Sequence, residues 1–331
     1  MRSIRKILVT AVILVLTAIL LSEISYYFYE PYRELSVVRR IELQRENGKI
    51  EVAICGTSLA MNGLDPRVFD ERLGLNTFNF ATSKQDLEST YYLLEQLVKE
   101  NPLKIVCLNV SGATMKENDS EAENYARKKA VWDAYYNTET KVRHFFDLYT
   151  IKEYEKVLMY FYDVHDSNLI SLEKIEDNIY YKRHHDELME RKPKKYVTKG
   201  HINNERNIKP DTSPQQEYIL GKSHNSEEIN ADNVKFLKKI LTLCEKNGIR
   251  MVMVTTPPAP TLNKVLKNKE EMYSYYSELA NAHGAEYYYY EDEELETIYD
   301  DSDYFEWSHV NMHGAAILSN KVCDWLMEEG K

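Results

Sequence analysis

Basic residues do not predominate in this chain: 42 Lys and Arg stand against 53 Asp and Glu, a formal net charge of −11. A nucleic-acid-binding surface normally announces itself as a basic patch, so that class is set aside. Cysteine is scarce, with four residues and neither a CxxC pair nor a Cys/His ligand spacing. That absence argues against a structural zinc site. The adjacent pair His184-His185 has no carboxylate at ligand spacing and reads as solvated, so neither a metal nor a cofactor is expected. No internal repeat is present, and no Gly/Ser/Pro linker divides the chain. What is there is a globular composition, 43% hydrophobic, with 26 tyrosines.

Residues 7–21 are apolar except for Thr10 and Thr17. Apolar character resumes after Ser22 and Glu23, through Ile24 to Tyr26-Tyr27-Phe28-Tyr29. The 22 residues from Ile7 to Phe28 suffice to cross a bilayer, which takes about 20 helical residues. Arg2, Arg5 and Lys6 ahead of the run favour a cytoplasmic N-terminus, and tyrosines at its far end suit the interfacial belt. A cleaved signal peptide is the rival reading, but no small-x-small pair follows the run, so an uncleaved anchor is favoured. Either reading puts the rest of the chain outside the cytoplasm. There Cys55, Cys107, Cys244 and Cys323 would be candidates for disulfides. Their settings inside strand-like and helix-like runs instead suit small buried hydrophobes.

The expected organisation is a cytoplasmic tip and anchor over 1–30 and an extracytoplasmic domain over 31–331. Residues 31–47 read as a charged helical stalk. Strands are expected at 50–55, 76–80, 103–110, 249–255 and 285–289, and helices at 66–73, 86–100, 231–247, 269–283 and 312–327. Such alternation implies an α/β fold with a largely parallel sheet and helices on both faces. Between 112 and 230 the alternation stops. This stretch is expected to be a mostly helical insertion, with helical periodicity around 150–161 and a polar, turn-prone section over 192–226.

Two short segments at opposite ends of the chain suggest chemistry. Cys55-Gly56-Thr57-Ser58 places a serine just past a strand, and Ser308-His309-Val310-Asn311 places a histidine just before the last helix, with Glu306 three residues upstream. Ligand sites in open α/β sheets gather at the carboxyl ends of strands, so both segments can share one rim. A serine hydroxyl needs an adjacent base, histidine titrates near working pH, and an acid on the second imidazole nitrogen fixes its tautomer. Backbone N–H groups after the serine, beginning with Leu59, would face the developing oxyanion. The plainer reading of Ser58 is a helix cap. Asn311 is expected to cap the last helix and His313 to be exposed.

Gly56-Thr57-Ser58-Leu59 resembles the nucleophile block of the SGNH (GDSL-like) hydrolase superfamily. Phe305-Glu306-Trp307-Ser308-His309-Val310-Asn311, with Gly314-Ala315 following, is similar to its last block, and Phe78-Asn79-Phe80-Ala81-Thr82-Ser83 to its second. The resemblance covers about 50–110 and 230–327. Together with the anchor it is greatest to the exported branch: alginate O-acetylation proteins, peptidoglycan O-acetyltransferases and teichoic-acid D-alanyl transfer (DltD-like) proteins. It implies a three-layer α/β/α sandwich with a five-stranded, flavodoxin-like sheet. It also implies Ser58 as nucleophile, His309 as base, Glu306 in the place of the usual Asp, and Asp303 as the alternative acid. Leu59, Ser83 and Asn109 would be the oxyanion and support positions. The second-block glycine is missing, and Leu108-Asn109-Val110-Ser111 departs from the Gly-x-Asn-Asp of the third block.

The implied function is a membrane-anchored acyltransferase or esterase acting on O-acyl groups, chiefly acetyl, of a cell-surface polysaccharide. An integral-membrane O-acyltransferase is the implied partner. The departures leave open a noncatalytic fold that binds or assembles surface glycan. Tyr135-Tyr136 and Tyr160-Phe161-Tyr162 admit both sugar stacking and plain packing, whereas the tyrosines at 287–290 read as packing and the acidic run 291–296 as a solvated face.

Overall fold

The computed structural model describes residues 2–116, 121–160, 171–209 and 212–328. Five strands form one parallel sheet: β1 (Val52–Cys55), β2 (Thr77–Asn79), β3 (Ile105–Asn109), β4 (Arg250–Val254) and β5 (Glu286–Tyr288). Their order is β2-β1-β3-β4-β5. Each lies inside the range expected from the sequence and is shorter at both ends, except that β1 reaches the expected end at Cys55. β1, β2 and β3 are buried along their whole length, which is why they read as near-continuous apolar runs.

The expected helices appear as Pro66–Leu73, Leu87–Glu100, Ala231–Lys246, Lys269–Ala282 and Met312–Glu328. Their starts follow from capping chemistry: Asp65, Asp86 and Asn230 each accept a backbone N–H of the first turn. Leu93, Leu94 and Leu97 on one helix and Leu237, Ile240 and Leu241 on another are fully buried where Leu87–Glu100 packs on Ala231–Lys246. Each such side chain contributes about 1.5–3 kcal/mol of burial. The helices Ser58–Gly63 and Pro66–Leu73 pack on Met312–Glu328. An antiparallel hairpin, β6 (Tyr304–Glu306) and β7 (His309–Val310), precedes that last helix. Its strands are too short for any periodicity to reveal them.

Two compact units make up the chain: 1–41 with 143–193, and 42–142 with 194–331. The stretch 112–230 is mostly helical where described, but it is divided between both units rather than forming one insertion. In the first unit the helix Arg2–Tyr29 includes Ile4–Tyr29, which is long and apolar enough to cross a membrane, at a mean hydropathy of 2.6. Lys182 Nζ closes its C-terminal end, donating to the carbonyls of Tyr26 (2.8 Å), Tyr27 (3.3 Å) and Glu30 (2.7 Å). A cation at the carbonyl end of a helix satisfies groups that have no partner within it. Burial lowers this ammonium to about 8. The helix Leu35–Glu46 is not a bare stalk, because Val37, Val38, Ile41 and Leu43 are buried.

Candidate active site

β1 ends in a turn that only a small residue can make. Gly56 has φ +128°, and a Cβ there would lie 2.7 Å from Asn109 Cβ at the end of β3. Thr57 follows as the cap of the helix Ser58–Gly63, its Oγ1 accepting from Leu59 N at 3.3 Å. The same hydroxyl donates to Asn109 Oδ1 at 3.0 Å, and Asn109 Nδ2 donates to Val254 O at 3.2 Å. Asn79 Nδ2 holds the far side of this helix, donating to Ala60 O and Leu64 O, both at 2.9 Å. Ser58 is therefore presented by a short helix tied to β2 and, through its cap, to β3.

The hairpin carries the second half of the site. His309 opens β7, and its Nε2 lies 2.7 Å from Ser58 Oγ. Glu306 ends β6, with Oε2 at 3.5 Å from His309 Nδ1. That separation is an ion-pair distance, beyond the usual N–H···O range. The nearer neighbour of Nδ1 is Ser308 Oγ at 3.1 Å. Ser308 Oγ in turn lies 2.6 Å from Tyr218 Oη, which donates to Glu306 Oε1 at 3.0 Å. The His309 ring beside Glu306 holds its carboxyl down at about 2, against partial burial that pushes the other way; Tyr218 and the Lys222 charge add to the lowering. Burial raises the Tyr218 phenol well above its usual value.

Neither Tyr218 nor Ser308 was singled out from the sequence. Ser308 stands inside the motif that carries His309, with no spacing of its own to mark it. Tyr218 comes from a seven-residue helix, Gln216–Lys222, whose distance in sequence from both ends of the site gives no spacing signal.

Ser58, Leu59, Tyr218 and Lys222 line a cavity of about 980 Å³. Lys222 Nζ sits over the Tyr218 ring, 5.5 Å from its centroid, and burial lowers its pKa. A second cavity of about 50 Å³ adjoins Leu59, Lys222 and Ser308.

Of the remaining expected residues, Leu59 lines the larger cavity and Ser83, Asn109 and Asp303 do not. Asn109 is 1% exposed and uses both ends of its amide on Thr57 and Val254, so it supports the turn from beneath. Leu59 N–H is engaged by the Thr57 cap. Ser83 is exposed in the turn before Lys84, which has φ 52°, and it does not line the cavity, whereas Lys84, Gln85 and Asp86 do. Asp303 is turned away from His309: it accepts from Asp300 N in a capping box and pairs with His313 Nδ1 at 2.5 Å. The side chain of His313 is 76% exposed. Asn311 caps the last helix, accepting from His313 N and Gly314 N.

The aromatic runs pack. Tyr135 and Tyr136 are buried, and Tyr136 donates to Ser89 O at 2.7 Å. Tyr273 stacks on Tyr289, and Tyr287 bonds to Thr255. Tyr160 lies edge-on to Tyr26, whereas Phe161 and Tyr162 lie outside the described residues. His184 stacks on Tyr180 and bonds to its carbonyl oxygen. The acidic run 291–296 starts the helix Asp292–Ile298, with Asp292 bound to Lys269.

The arrangement thus offers a hydroxyl against an imidazole, a carboxylate held ionised behind the imidazole, and open volume in front. The chain matches no known protein-family model and no curated protein.

Proposed function

We propose that the protein is a membrane-anchored, extracytoplasmic serine acyltransferase or esterase of the SGNH type, acting on O-acyl groups of a cell-surface polysaccharide. The observation that carries this reading is the 2.7 Å contact between Ser58 Oγ and His309 Nε2, made by residues from opposite ends of the sequence. In the first half-reaction Ser58 Oγ attacks the acyl carbonyl while its proton passes to His309 Nε2. The tetrahedral adduct collapses, and the imidazolium returns that proton to the departing alkoxide. In the second half-reaction an acceptor hydroxyl or water loses its proton to Nε2 and attacks the acyl-serine, and the imidazolium returns that proton to the departing Ser58 Oγ. General acid–base catalysis of this kind is worth about 10²–10⁴-fold. The α/β/α sandwich of that superfamily agrees with the five-stranded parallel sheet.

The apolar N-terminal helix supports the anchor, with Arg2, Arg5 and Lys6 on the cytoplasmic side. A transferase working there needs an acyl donor outside the membrane, for which an integral-membrane O-acyltransferase is the proposed partner. A noncatalytic glycan-binding role is the second reading. It is favoured by the engagement of Leu59 N–H and the Asn109 amide in the turn, which leaves both occupied in the resting site.

Turnover of p-nitrophenyl acetate by the full chain in detergent separates the two. Ser58→Ala should reduce it by about 10³-fold or more, and a serine-reactive phosphonate should label Ser58. Unchanged turnover and an unlabelled Ser58 would reject the enzymatic reading.

A further inference from the structure

The geometry points to Tyr218 and Ser308 as positioning residues that connect Glu306 to His309 through a directed chain of hydroxyl hydrogen bonds. Their role rests on Ser58 and His309 acting as nucleophile and base. The direction of the chain follows from counting protons. An ionised Glu306 can only accept, so the single Tyr218 hydroxyl proton goes to Oε1, at 3.0 Å. Tyr218 Oη then has only its lone pairs to offer Ser308, at 2.6 Å, so Ser308 is the donor in that bond. With its one proton committed, Ser308 Oγ must accept from His309 Nδ1, at 3.1 Å. Nδ1 therefore carries the imidazole proton, and Nε2 is bare where it meets Ser58 Oγ at 2.7 Å. That is the tautomer a general base needs.

The direct approach of Glu306 to Nδ1, at 3.5 Å, is too long to impose the tautomer by itself. The carboxylate still stabilises the imidazolium by charge, while the hydroxyls set its orientation. No proton needs to travel along the chain: the Ser58 proton enters and leaves at Nε2. Ser308 is 7% exposed, so its bonds are shielded from competing water. Raising of the Tyr218 phenol by burial keeps it a donor across the working pH range.

The chain also gives the helix Gln216–Lys222 a part in the site that lies outside the regions resembling the superfamily. A residue that merely packs would tolerate loss of its hydroxyl without affecting the imidazole.

The test uses the full chain in detergent, with p-nitrophenyl acetate as substrate and ¹⁵N-labelled histidine for NMR, His309 being assigned by its absence in His309→Ala. Tyr218→Phe and Ser308→Ala should each lower kcat about 10–100-fold with KM within about twofold, and the double variant should fall little further. Ser308→Thr, which restores a hydroxyl, should recover most of the rate. The ¹⁵N spectrum should show Nδ1 protonated in the wild type and a mixture of tautomers in both single variants. Wild-type kcat in both variants, fully additive losses, or a wild-type His309 protonated on Nε2 would each overturn the chain. A wild type that is inert toward the ester, yet shows an Nδ1 proton dependent on both hydroxyls, would support the chain and reject the acyl-transfer reading.

Discussion

Glu306 is held ionised at a site where its side chain is still 45% exposed. Its carboxyl is depressed to about 2 from an ordinary value near 4.5, first by the His309 ring. A depressed acid contributes stability above its unfolded value, and that contribution disappears as pH falls through the folded value. Glu306→Gln should therefore melt below the wild type at pH 7, and the gap should close between about pH 4.5 and 2. Thermal melts across that range check this; a gap constant with pH would mean that the carboxylate is not tied to its neighbours. The choice between the two acids is also made at the residue scale. Asp303 and Glu306 are three residues apart, but the capping box at Asp300 turns Asp303 toward His313. Only Glu306 is left facing His309.

At the scale of the element, the helix Ser58–Gly63 is too short to hold itself in place. Asn79, fully buried at the end of β2, clamps it by donating to Ala60 O and Leu64 O while accepting from Ala81 N. The sequence shows Asn79 only as part of a segment similar to the superfamily's second block; the structure makes it a clamp. Asn79→Ala should cost about 1–3 kcal/mol, the penalty for leaving a buried acceptor without its donor. Asn79→Asp should cost more, because a carboxylate would face two carbonyl oxygens. Denaturant midpoints would report both, and an Asp variant as stable as wild type would show that the clamp contributes little. The hairpin β6–β7 is the other element on which the site depends. Gly314, in the first turn of the last helix, lets that helix approach it: a Cβ there would lie 2.9 Å from Val310 Cβ in β7 and 2.4 Å from Asp303 O just before β6.

For the molecule as a whole, all four cysteines are free and buried, despite the location proposed for the chain outside the cytoplasm. Burial pushes the thiols of Cys244 and Cys323 up to about 12, and those of Cys55 and Cys107 well above their ordinary value. A thiol reagent should find no fast-reacting group in the native protein and four after denaturation, and a reductant should leave the melting temperature unchanged. Rapid native labelling, or a melting point that falls with reductant, would contradict the burial of these side chains.

The sequence by itself determined the parallel sheet, its helices and the apolar N-terminal span. Each of these is written in local patterns: apolar runs for buried strands, 3.6-residue spacing with Asp and Asn caps for helices, and an uninterrupted run for the span. It also singled out Ser58, His309 and Glu306, through two short motifs that resemble blocks of the SGNH superfamily. Tertiary structure alone decided which side chains meet. Tyr218 reaches the hairpin from a helix some ninety residues away in the chain, and no periodicity encodes such a contact. Asn109 and Ser83 occupied plausible places in the order of elements. Asn109 is instead bound into a buried turn, and Ser83 is exposed in the turn before Lys84. Side-chain direction depends on packing between distant segments, which a linear pattern does not record.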